Sequence, residues 1–391
     1  MRIAISGAGV AGAALAHWLH RTGHAPTLIE RAPAFRTGGY MIDFWGIGYR
    51  VARQMGIEPA VRDAGYEVQC VRSVGSDGST NAELGVEVFR RMIGNDFTSL
   101  PRGDLAAAIY RTVENAVPTV FGDSITGIDQ HPDRVRVTFE NGPADDFDLV
   151  IGADGLHSNV RGLVFGPEER FEHYLGCKVA ACMVDGYAGG GDPDAYVTYN
   201  TPGRQIGRFT LRGGRTMFLF VFRDEHDDHG LTPKEQLHNQ FDDAGWECRE
   251  ILAAVDGVDD LFFDVVSQIR MDTWSRERVL LIGDAAGCIS LLGGEGTGLA
   301  ITEAYALAGE FARADGDHRL AFERYESQLR PFIAGKQAGA ERMLGFFATR
   351  TRFGLWFRNL ALHAMNMGRP VAGLFAGSVR DDIDLPDYRI G

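Results

Sequence analysis

The sequence predicts a mixed α/β fold, in which a domain built on a parallel β-sheet is interrupted by a second domain made mainly of β-strands. Three observations support this prediction. Residues 2–30 show a strand–helix–strand pattern, residues 169–274 are rich in strand patterns, and helix patterns dominate from residue 297 onward. The chain has 391 residues, 45% of them hydrophobic, so two or three domains can each bury a core.

The composition favours an enzyme that acts on a small molecule. Acidic residues outnumber basic ones by 53 to 39, and the formal net charge is -14. This charge argues against nucleic acid or an anionic membrane as the main partner, and no apolar stretch reaches the roughly 18 residues of a membrane span. The five cysteines show no C-x-x-C pair and no metal-ligand spacing. We therefore expect a cytoplasmic protein, a monomer or homodimer, that holds no metal.

Glycine, at 50 residues, is nearly twice as frequent as usual, and its most regular spacing lies near the N-terminus. Gly7, Gly9 and Gly12 form a G-x-G-x-x-G pattern between a strand-like run and a helix-like run. A second strand follows and ends at Glu30. The order strand, glycine turn, helix, strand and acid is the complete dinucleotide-binding βαβ unit.

Each part of this unit has a physical role. Gly7 permits a tight turn, Gly9 lets the backbone approach a diphosphate, and Gly12 lets the helix pack close to the strand. The free N–H groups at the start of the helix favour the diphosphate, and Glu30 would accept hydrogen bonds from the ribose hydroxyls. At this point NAD and FAD both remain candidates.

A second motif favours FAD. The buried-strand pattern of residues 278–282 leads into Gly283-Asp284-Ala285-Ala286, and a glycine-rich loop then precedes a long amphipathic helix beginning near Thr297. Asp284 would bind a ribityl hydroxyl, and the helix N-terminus would stabilise negative charge on a reduced flavin.

A third motif follows the apolar strand of residues 148–152. It consists of Asp154-Gly155, with Ser158 and Arg161 just beyond. Alone, this pattern is typical of a surface turn.

Taken in their order along the chain, the three motifs resemble those of the flavoprotein monooxygenases of the para-hydroxybenzoate hydroxylase family, the class A FAD-dependent hydroxylases. Arg102-Gly103-Asp104-Leu105 is similar to the family's Arg-x-x-Leu, whose Arg reaches FAD. The Gly38-Gly39 pair, followed by an apolar run with Asp43, resembles the tetracycline-inactivating and polyketide-tailoring members.

The resemblance implies noncovalent FAD, NADH or NADPH as a transient reductant, and O2 as the oxidant. One oxygen atom would be inserted into an aromatic, polyketide or similar hydrophobic small molecule through a flavin C4a-hydroperoxide. No catalytic base is assigned. The predicted cofactor-binding residues are Gly7, Gly9, Val10, Ala11, Gly12, Glu30, Arg31, Arg36, Gly39, Asp43, Arg102, Asp154, Asp284, Gly294, Gly296 and Thr297.

The loop after Asp284 departs from the family pattern. Gly287 stands where the family has His, Ser290 and Leu291 replace a Pro pair, and Gly298 replaces a frequent Asn. Glu295 stands between two glycines where the family has Gln. We interpret Glu295 as a solvated loop charge, with a carboxylate near the flavin that tunes proton transfer as the alternative.

The resemblance also implies a domain organisation. A discontinuous Rossmann-like FAD-binding domain would comprise residues 1–70, 100–168 and 275–335. A β-sheet substrate domain would comprise residues 71–99 and 169–274, and a C-terminal helical segment residues 336–391. In the strands of the predicted substrate domain, alternate side chains would point toward the substrate pocket. The candidates for this pocket, with core packing or solvent exposure as the alternative for each, are Tyr199, Arg208, Thr210 and Met217.

Other interpretations stay open at the level of sequence. A flavin-dependent oxidase or reductase shares the FAD motifs, and a non-catalytic flavin- or ligand-binding protein would fit the altered loop at residues 287–298. The aromatic and arginine-containing segment near residues 346–358 is compatible with a membrane-surface helix, but we favour a helix that supports both domains or makes a dimer contact.

Overall fold

The structure, a computed structural model, confirms the mixed α/β fold and the C-terminal helices. It describes residues 1–35, 38–94, 96–189, 192, 194–224, 230–347, 349–366 and 383–390. Within these residues the strands are β1 (Arg2–Ser6), β2 (Ala25–Glu30), β3 (Met41–Trp45), β4 (Cys70–Val74), β5 (Thr80–Gly85), β6 (Phe97–Pro101), β7 (Thr119–Phe121), β8 (Ile125–Gln130), β9 (Val135–Phe139), β10 (Asp145–Phe147), β11 (Leu149–Gly152), β12 (Glu172–Asp185), β13 (Ala195–Thr201), β14 (Arg204–Thr210), β15 (Arg215–Arg223), β16 (Phe262–Ile269), β17 (Ser275–Arg276) and β18 (Val279–Leu281).

The helices of the same residues vary widely in length. They are α1 (Val10–Arg21), α2 (Gly46–Gln54), α3 (Glu58–Ala64), α4 (Val86–Ile93), α5 (Arg102–Tyr110), α6 (Asn159–Val164), α7 (Pro233–Phe241), α8 (Cys248–Asp256), α9 (Asp284–Gly287), α10 (Gly296–Arg313), α11 (His318–Phe347) and α12 (Arg352–Asn366). None of these described helices has the length and apolarity needed to cross a membrane.

The first sheet contains six strands in the order β17-β18-β11-β1-β2-β7. β1 pairs in parallel with β2 and β11, and β11 pairs in parallel with β18. The carboxyl ends of β1, β11 and β18 therefore lie side by side at one edge of the sheet. The three sequence motifs follow these three strands, so the topology brings the motifs together.

Helix α1 approaches this sheet closely at its N-terminal end, where the buried residues Ala11, Gly12, Ala13 and Ala14 are small. Gly12 is essential to this packing, since a Cβ atom there would lie 1.9 Å from the carbonyl oxygen of Gly7. Helix α10 packs against both α1 and α2. A Cβ atom on Gly48 of α2 would lie 2.5 Å from the Cα of Gly298 in α10, so the glycine at position 48 lets these two helices approach each other.

The second sheet contains seven strands in the order β16-β12-β15-β14-β13-β4-β5. Its pairings are antiparallel except that between β13 and β4. One face packs on α7 and α8 through an apolar cluster that includes Phe218, Phe220 and Phe241. The opposite face forms a wall of the cavity described below.

Helix α11 connects the two sheets. The buried side-chain amide of Gln337 donates to the carbonyl oxygens of Ile269, at the end of β16, and Cys288, just after α9. Strands of the first sheet come from residues 2–30, 119–121, 149–152 and 275–281, while the second sheet uses residues 70–85 and 172–269. The exact domain boundaries stay a prediction.

Candidate functional site

A cavity of about 470 Å³ lies between the carboxyl-end edge of the six-stranded sheet and the uncovered face of the seven-stranded sheet. Gly9, Asp154 and Asp284 line it on the side of the first sheet. Val179, Tyr196, Phe209, Leu219 and Phe262 line it on the side of the second sheet. The cavity therefore joins the glycine-rich turn to a mainly apolar wall.

The N-terminus of α1 opens onto this cavity. Gly9, Val10 and Ala11 line it, as does Arg31 after β2. No acidic residue lies in the first turn of α1, so the helix places no carboxylate of its own among the N–H groups at its positive end. A Cβ atom on Gly9 would meet no protein atom within 4 Å, because the space beside this residue is open. This is the arrangement that a diphosphate requires.

Other predicted residues of the first motif shape the turn and do not line the cavity. Gly7 has a φ of +100° and a Cβ atom there would lie 2.5 Å from the carbonyl oxygen of Ala153. The Glu30 carboxylate accepts hydrogen bonds from the backbone N–H of Ala8 at 3.0 Å and of Ala32 at 2.8 Å. Glu30 thus holds the turn in place, and its contact with a ribose stays a prediction.

Asp154 lies at the centre of a hydrogen-bond network. Its carboxylate accepts from the hydroxyls of Ser158 at 2.5 Å and Ser6 at 3.2 Å, and from the N–H of Val160 at 3.0 Å. Burial raises the pKa of Asp154, while the hydrogen bonds oppose that shift. Because β1 and β11 both contribute to the network, Asp154 fixes the edge where the two strands end.

Arg161 links the second and third motifs. Its fully buried guanidinium donates to the carbonyl oxygen of Ala285 at 3.0 Å and pairs with Glu168 at 2.6 Å. Sequence reasoning noted Arg161 only as part of a motif. The structure buries it fully and joins it to α9 through the carbonyl oxygen of Ala285.

Asp284 begins α9 and lines the cavity. Burial raises the pKa of its carboxyl group, and the nearby Arg102 guanidinium, also in the cavity wall, opposes this shift. Gly294, Gly296 and Thr297, at the start of α10, lie in the same wall. The structure therefore brings the predicted ribityl contact and the α10 N-terminus to one side of the cavity.

Asp43 projects into the cavity from β3. Its carboxyl group accepts a hydrogen bond from the hydroxyl of Ser99 on β6 at 2.5 Å, and its seclusion from bulk water raises its pKa. The neighbouring Tyr40 also lines the cavity, and burial raises the pKa of its phenol to about 12. Gly39 adjoins Arg102 but does not line the cavity, and Arg36 lies outside the described residues.

None of the four candidate pocket residues lines the cavity, and three of them, Tyr199, Arg208 and Thr210, lie on the opposite face of the sheet. Tyr199 belongs to the apolar cluster under α7 and α8, where its hydroxyl accepts from the N–H of Gly245 at 3.2 Å. Arg208 pairs with Glu247 on the same side of the sheet, and Thr210 follows two residues later with the same orientation along the strand. Met217 packs against Phe209 and accepts a hydrogen bond from the N–H of Met41 through its sulfur. At the alternate positions of β13 and β14, Tyr196 and Phe209 form the wall of the cavity.

Sequence reasoning missed a cluster that lies between the six-stranded and the seven-stranded sheet. His157 lines the cavity, its Nδ1 lies 2.8 Å from Glu168 and its Nε2 lies 3.2 Å from Asp264 on β16. The two carboxylates raise its pKa against the opposing effect of burial. Only the position of His157 just after Asp154-Gly155 could have drawn attention to it.

Glu295 is not the solvated charge that the sequence predicts. Its side chain is 6% exposed and forms an ion pair with Lys336 of α11, whose side chain is equally buried. Gly287 also has a packing role, since a Cβ atom there would lie 2.8 Å from Ile333 of α11. These two departures from the family pattern, Gly287 and Glu295, thus both contact α11.

Comparison with known proteins identifies the family of the chain. Residues 1–335 match the family described as FAD binding domain. The chain belongs to this family. A flavin-dependent monooxygenase from an unknown prokaryotic organism is 34% identical over 400 residues, which cover 99% of each chain. A flavin-dependent monooxygenase from Legionella longbeachae is 32% identical and covers 99% of this chain and 98% of its own.

The fold agrees with that of a solved relative. The crystal structure of tetracycline destructase Tet(55) superposes with a TM-score of 0.83 at 31% identity, covering 99% of this chain and 98% of its own. The protein is an FAD-dependent monooxygenase of class A, as the three motifs predict. The open side of Gly9, the helix start without acidic residues and the adjoining carboxyl groups show that the site of this monooxygenase fits FAD.

Proposed function

We propose that this monooxygenase binds FAD noncovalently, takes electrons from transiently bound NADH or NADPH, and uses O2 to insert one oxygen atom into an aromatic, polyketide or similar hydrophobic small molecule. The observation that best supports this is the continuous cavity from the α1 N-terminus to the apolar wall of the seven-stranded sheet. FAD would supply the electron transfer and oxygen activation, and the protein would supply binding, orientation and exclusion of water.

The cofactor would lie along the edge of the six-stranded sheet. The N–H groups of α1 would bind the diphosphate, and Asp284 would accept a hydrogen bond from a ribityl hydroxyl. The start of α10, at Gly296 and Thr297, would face the pyrimidine end of the flavin ring, where negative charge develops on reduction. Asp43, in the strand pair of β3 and β6, and Arg102, the first residue of α5, would contact the ring system from the opposite side.

The substrate would lie between the ring and the seven-stranded sheet. Val179, Phe209 and Leu219 make this wall apolar, and Tyr196 adds a phenol whose pKa is raised by burial. Such a surface fits a flat hydrophobic compound that carries a few oxygen substituents. Because a related structure is that of a tetracycline destructase, tetracyclines are the first multi-ring compounds to test.

The apolar wall also has a chemical role. Oxygen transfer in a flavin site competes with loss of hydrogen peroxide, and water favours that loss. A bound hydrophobic substrate that fills the space against Phe209 and Leu219 would displace water from the ring. We therefore expect substrate binding to couple reduction to oxygen transfer.

An isotope experiment tests the proposed function. The holoprotein is incubated with NADH or NADPH under ¹⁸O2 and a panel of phenols, polyketides and tetracyclines. We expect at least one compound to accelerate NAD(P)H oxidation and to gain one ¹⁸O atom, with no label gained from H2¹⁸O under unlabelled O2. Consumption of NAD(P)H with hydrogen peroxide as the product, and with every bound compound recovered unchanged, would instead support an oxidase.

A further inference from the structure

The loop before α10 contains a buried charge pair that the proposed function leaves unused. Glu295 immediately precedes the first residue of α10, and its neighbours Gly294 and Gly296 both line the cavity. Its Oε2 atom contacts Nζ of Lys336, and each side chain is only 6% exposed. Two opposite charges are thus buried directly behind the loop that faces the cofactor.

The carboxylate of Glu295 opposes the electrostatic effect of the helix. The N-terminus of α10 carries a partial positive charge that favours an anion in the cavity. A full negative charge at the residue before the helix would cancel that effect, and an isolated buried carboxylate would also be costly. The ammonium group of Lys336 neutralises this carboxylate, so it preserves the positive end of α10 and lowers the cost of burying Glu295.

The position of Lys336 is fixed by its surroundings. Its Nζ lies 5.5 Å from the ring centroid of Phe332 on the preceding turn of α11. The next residue, Gln337, is held by hydrogen bonds to Ile269 and Cys288. A Cβ atom on Gly293 would approach Ala340 of the same helix at 3.5 Å. The helix therefore places the ammonium against the back of the cofactor loop.

We propose that the Glu295–Lys336 pair sets the reduction potential of the bound flavin. Lys336 maintains the positive environment at the α10 N-terminus, and Glu295 limits it, so that the pair determines how much more tightly reduced FAD is bound than oxidised FAD. The inference rests on the proposed placement of the pyrimidine end at α10. Both residues act through the electrostatic environment of the loop and take no part in proton or oxygen transfer.

Glu295→Gln tests the proposal with a nearly isosteric change. It removes one negative charge and leaves the ammonium, so we expect the midpoint potential of bound FAD to rise. A unit charge at this position corresponds to about a tenfold gain in affinity for reduced over oxidised FAD, or about 30 mV for a two-electron couple. Lys336→Met should shift the potential in the opposite direction, and the double variant should return it close to the wild-type value.

Glu310→Gln is the matched control. Glu310 is also a buried carboxylate of α10, 2% exposed and paired with Arg313 at 3.0 Å. At 1.5 Å per residue it lies about 21 Å along the helix from Gly296, so its removal should leave the potential unchanged. An unchanged potential in Glu295→Gln, an equal shift in Glu310→Gln, or single-variant shifts that fail to cancel would overturn the proposal. Complete loss of FAD from Glu295→Gln would also overturn it, since the pair would then only brace the loop.

Asp284→Ala separates this proposal from the one on which it rests. If the ring lies as proposed, this variant should bind FAD at least about tenfold more weakly, because a hydrogen bond to a charged group is lost. Normal FAD affinity in Asp284→Ala would contradict the placement itself. Weakened affinity there, together with an unchanged potential in Glu295→Gln, would contradict the role of the pair alone.

Discussion

At the scale of single residues, carboxyl groups in the cavity wall define the cofactor end of the site. Burial raises the pKa of Asp43, Asp154 and Asp284, and each contributes to the cavity wall. Glu303 lies behind them on α10, where its Oε2 accepts from the N–H of Gly283 at 2.6 Å and from the hydroxyl of Tyr325 at 2.9 Å. Glu303 thus positions the residue that precedes Asp284.

Glu303 makes the stability of the protein dependent on pH. Burial raises its pKa from 4.5 to about 7, so the folded state binds the proton more tightly than the unfolded state. Its contribution to stability is fully present below about pH 4.5 and is lost as the pH rises through about 7. The difference in unfolding free energy between wild type and Glu303→Gln should therefore fall by about 3 kcal/mol across this window. Urea denaturation of both proteins at matched pH values measures this difference.

Tyr325→Phe provides the control. It removes a donor that stabilises the ionised carboxylate, so the pKa of Glu303 should rise further and the transition should move to higher pH. A free-energy difference between wild type and Glu303→Gln that does not vary with pH would show that Glu303 keeps one protonation state throughout.

Sequence could predict some of these residues and not others. Asp154 and Asp284 follow apolar strands that are recognisable in the sequence, and parallel strands bring their carboxyl ends together. Glu303 and Glu295 depend on partners in α11, at Tyr325 and Lys336. No local pattern specifies such contacts, because they arise from how α11 packs against α10.

At the scale of elements, the glycine turn before α1 separates folding from cofactor binding. Gly12 faces the carbonyl oxygen of Gly7, while the side of Gly9 is open to the cavity. The φ of Gly9 is -70°, which any L-residue adopts. The two glycines are therefore required for different reasons.

Alanine substitutions distinguish these two requirements. Gly9→Ala should fold with nearly wild-type stability but lose most FAD affinity, because its methyl group occupies the space for the diphosphate. Gly12→Ala should be destabilised by several kcal/mol even without FAD, because the turn must open to admit the Cβ atom. Thermal unfolding of the apoproteins and FAD titration measure the two effects. Equal loss of stability in both apoproteins would show that Gly9, too, is needed for the fold.

The seven-stranded sheet shows why three of the four predicted pocket residues, Tyr199, Arg208 and Thr210, lie on the face away from the cavity. One face of β14 and β15 packs on α7 and α8, and the other face forms a wall of the cavity. Strand alternation separates the two sets of side chains but gives no sign of which set meets the substrate. Phe209 faces the cavity, whereas Arg208 lies on the helix side.

Phe209→Ala and Phe218→Ala test this assignment of faces. Both side chains are buried, at 2% and 0% exposure, so both variants should lose about 3–5 kcal/mol of stability. Only Phe209→Ala should raise the KM of the substrate found by isotope labelling and increase hydrogen peroxide release, since only it enlarges the cavity. The assignment is incorrect if Phe218→Ala alters KM to the same extent.

At the scale of the whole molecule, α11 joins the cofactor loop to the substrate sheet. The side-chain amide of Gln337 donates to the backbone carbonyl oxygens of Cys288, beside the loop, and Ile269, in β16. The backbone carbonyl oxygen of Gln337 accepts from the side-chain amide of Gln268. Arg161 provides a second connection, from α6 to α9. Both sheets are therefore attached to the same short segment around residues 285–288.

Gln337→Leu should weaken this attachment. It leaves the buried carbonyl of Ile269 without its side-chain donor, which costs about 1–3 kcal/mol of stability. Because Cys288 adjoins the cofactor loop, FAD affinity should fall as well. Gln328→Leu, the same change at a more accessible site on α11, should cost less than about 1 kcal/mol and leave FAD affinity unchanged. Equal losses in the two variants would indicate that only the helix, and not the attachment, is affected.

The strand order of the first sheet affects when the cofactor site can form during synthesis on the ribosome. β1 is made first, yet it lies between β2 and β11 in the finished sheet, and β18 is added only from residues 279–281. The N-terminal βαβ unit is therefore synthesised well before β11, β18 and the N-terminus of α10, which complete its site. A nascent chain has no complete FAD site until β18 and the start of α10 have been synthesised, so FAD binding would follow the emergence of these two elements.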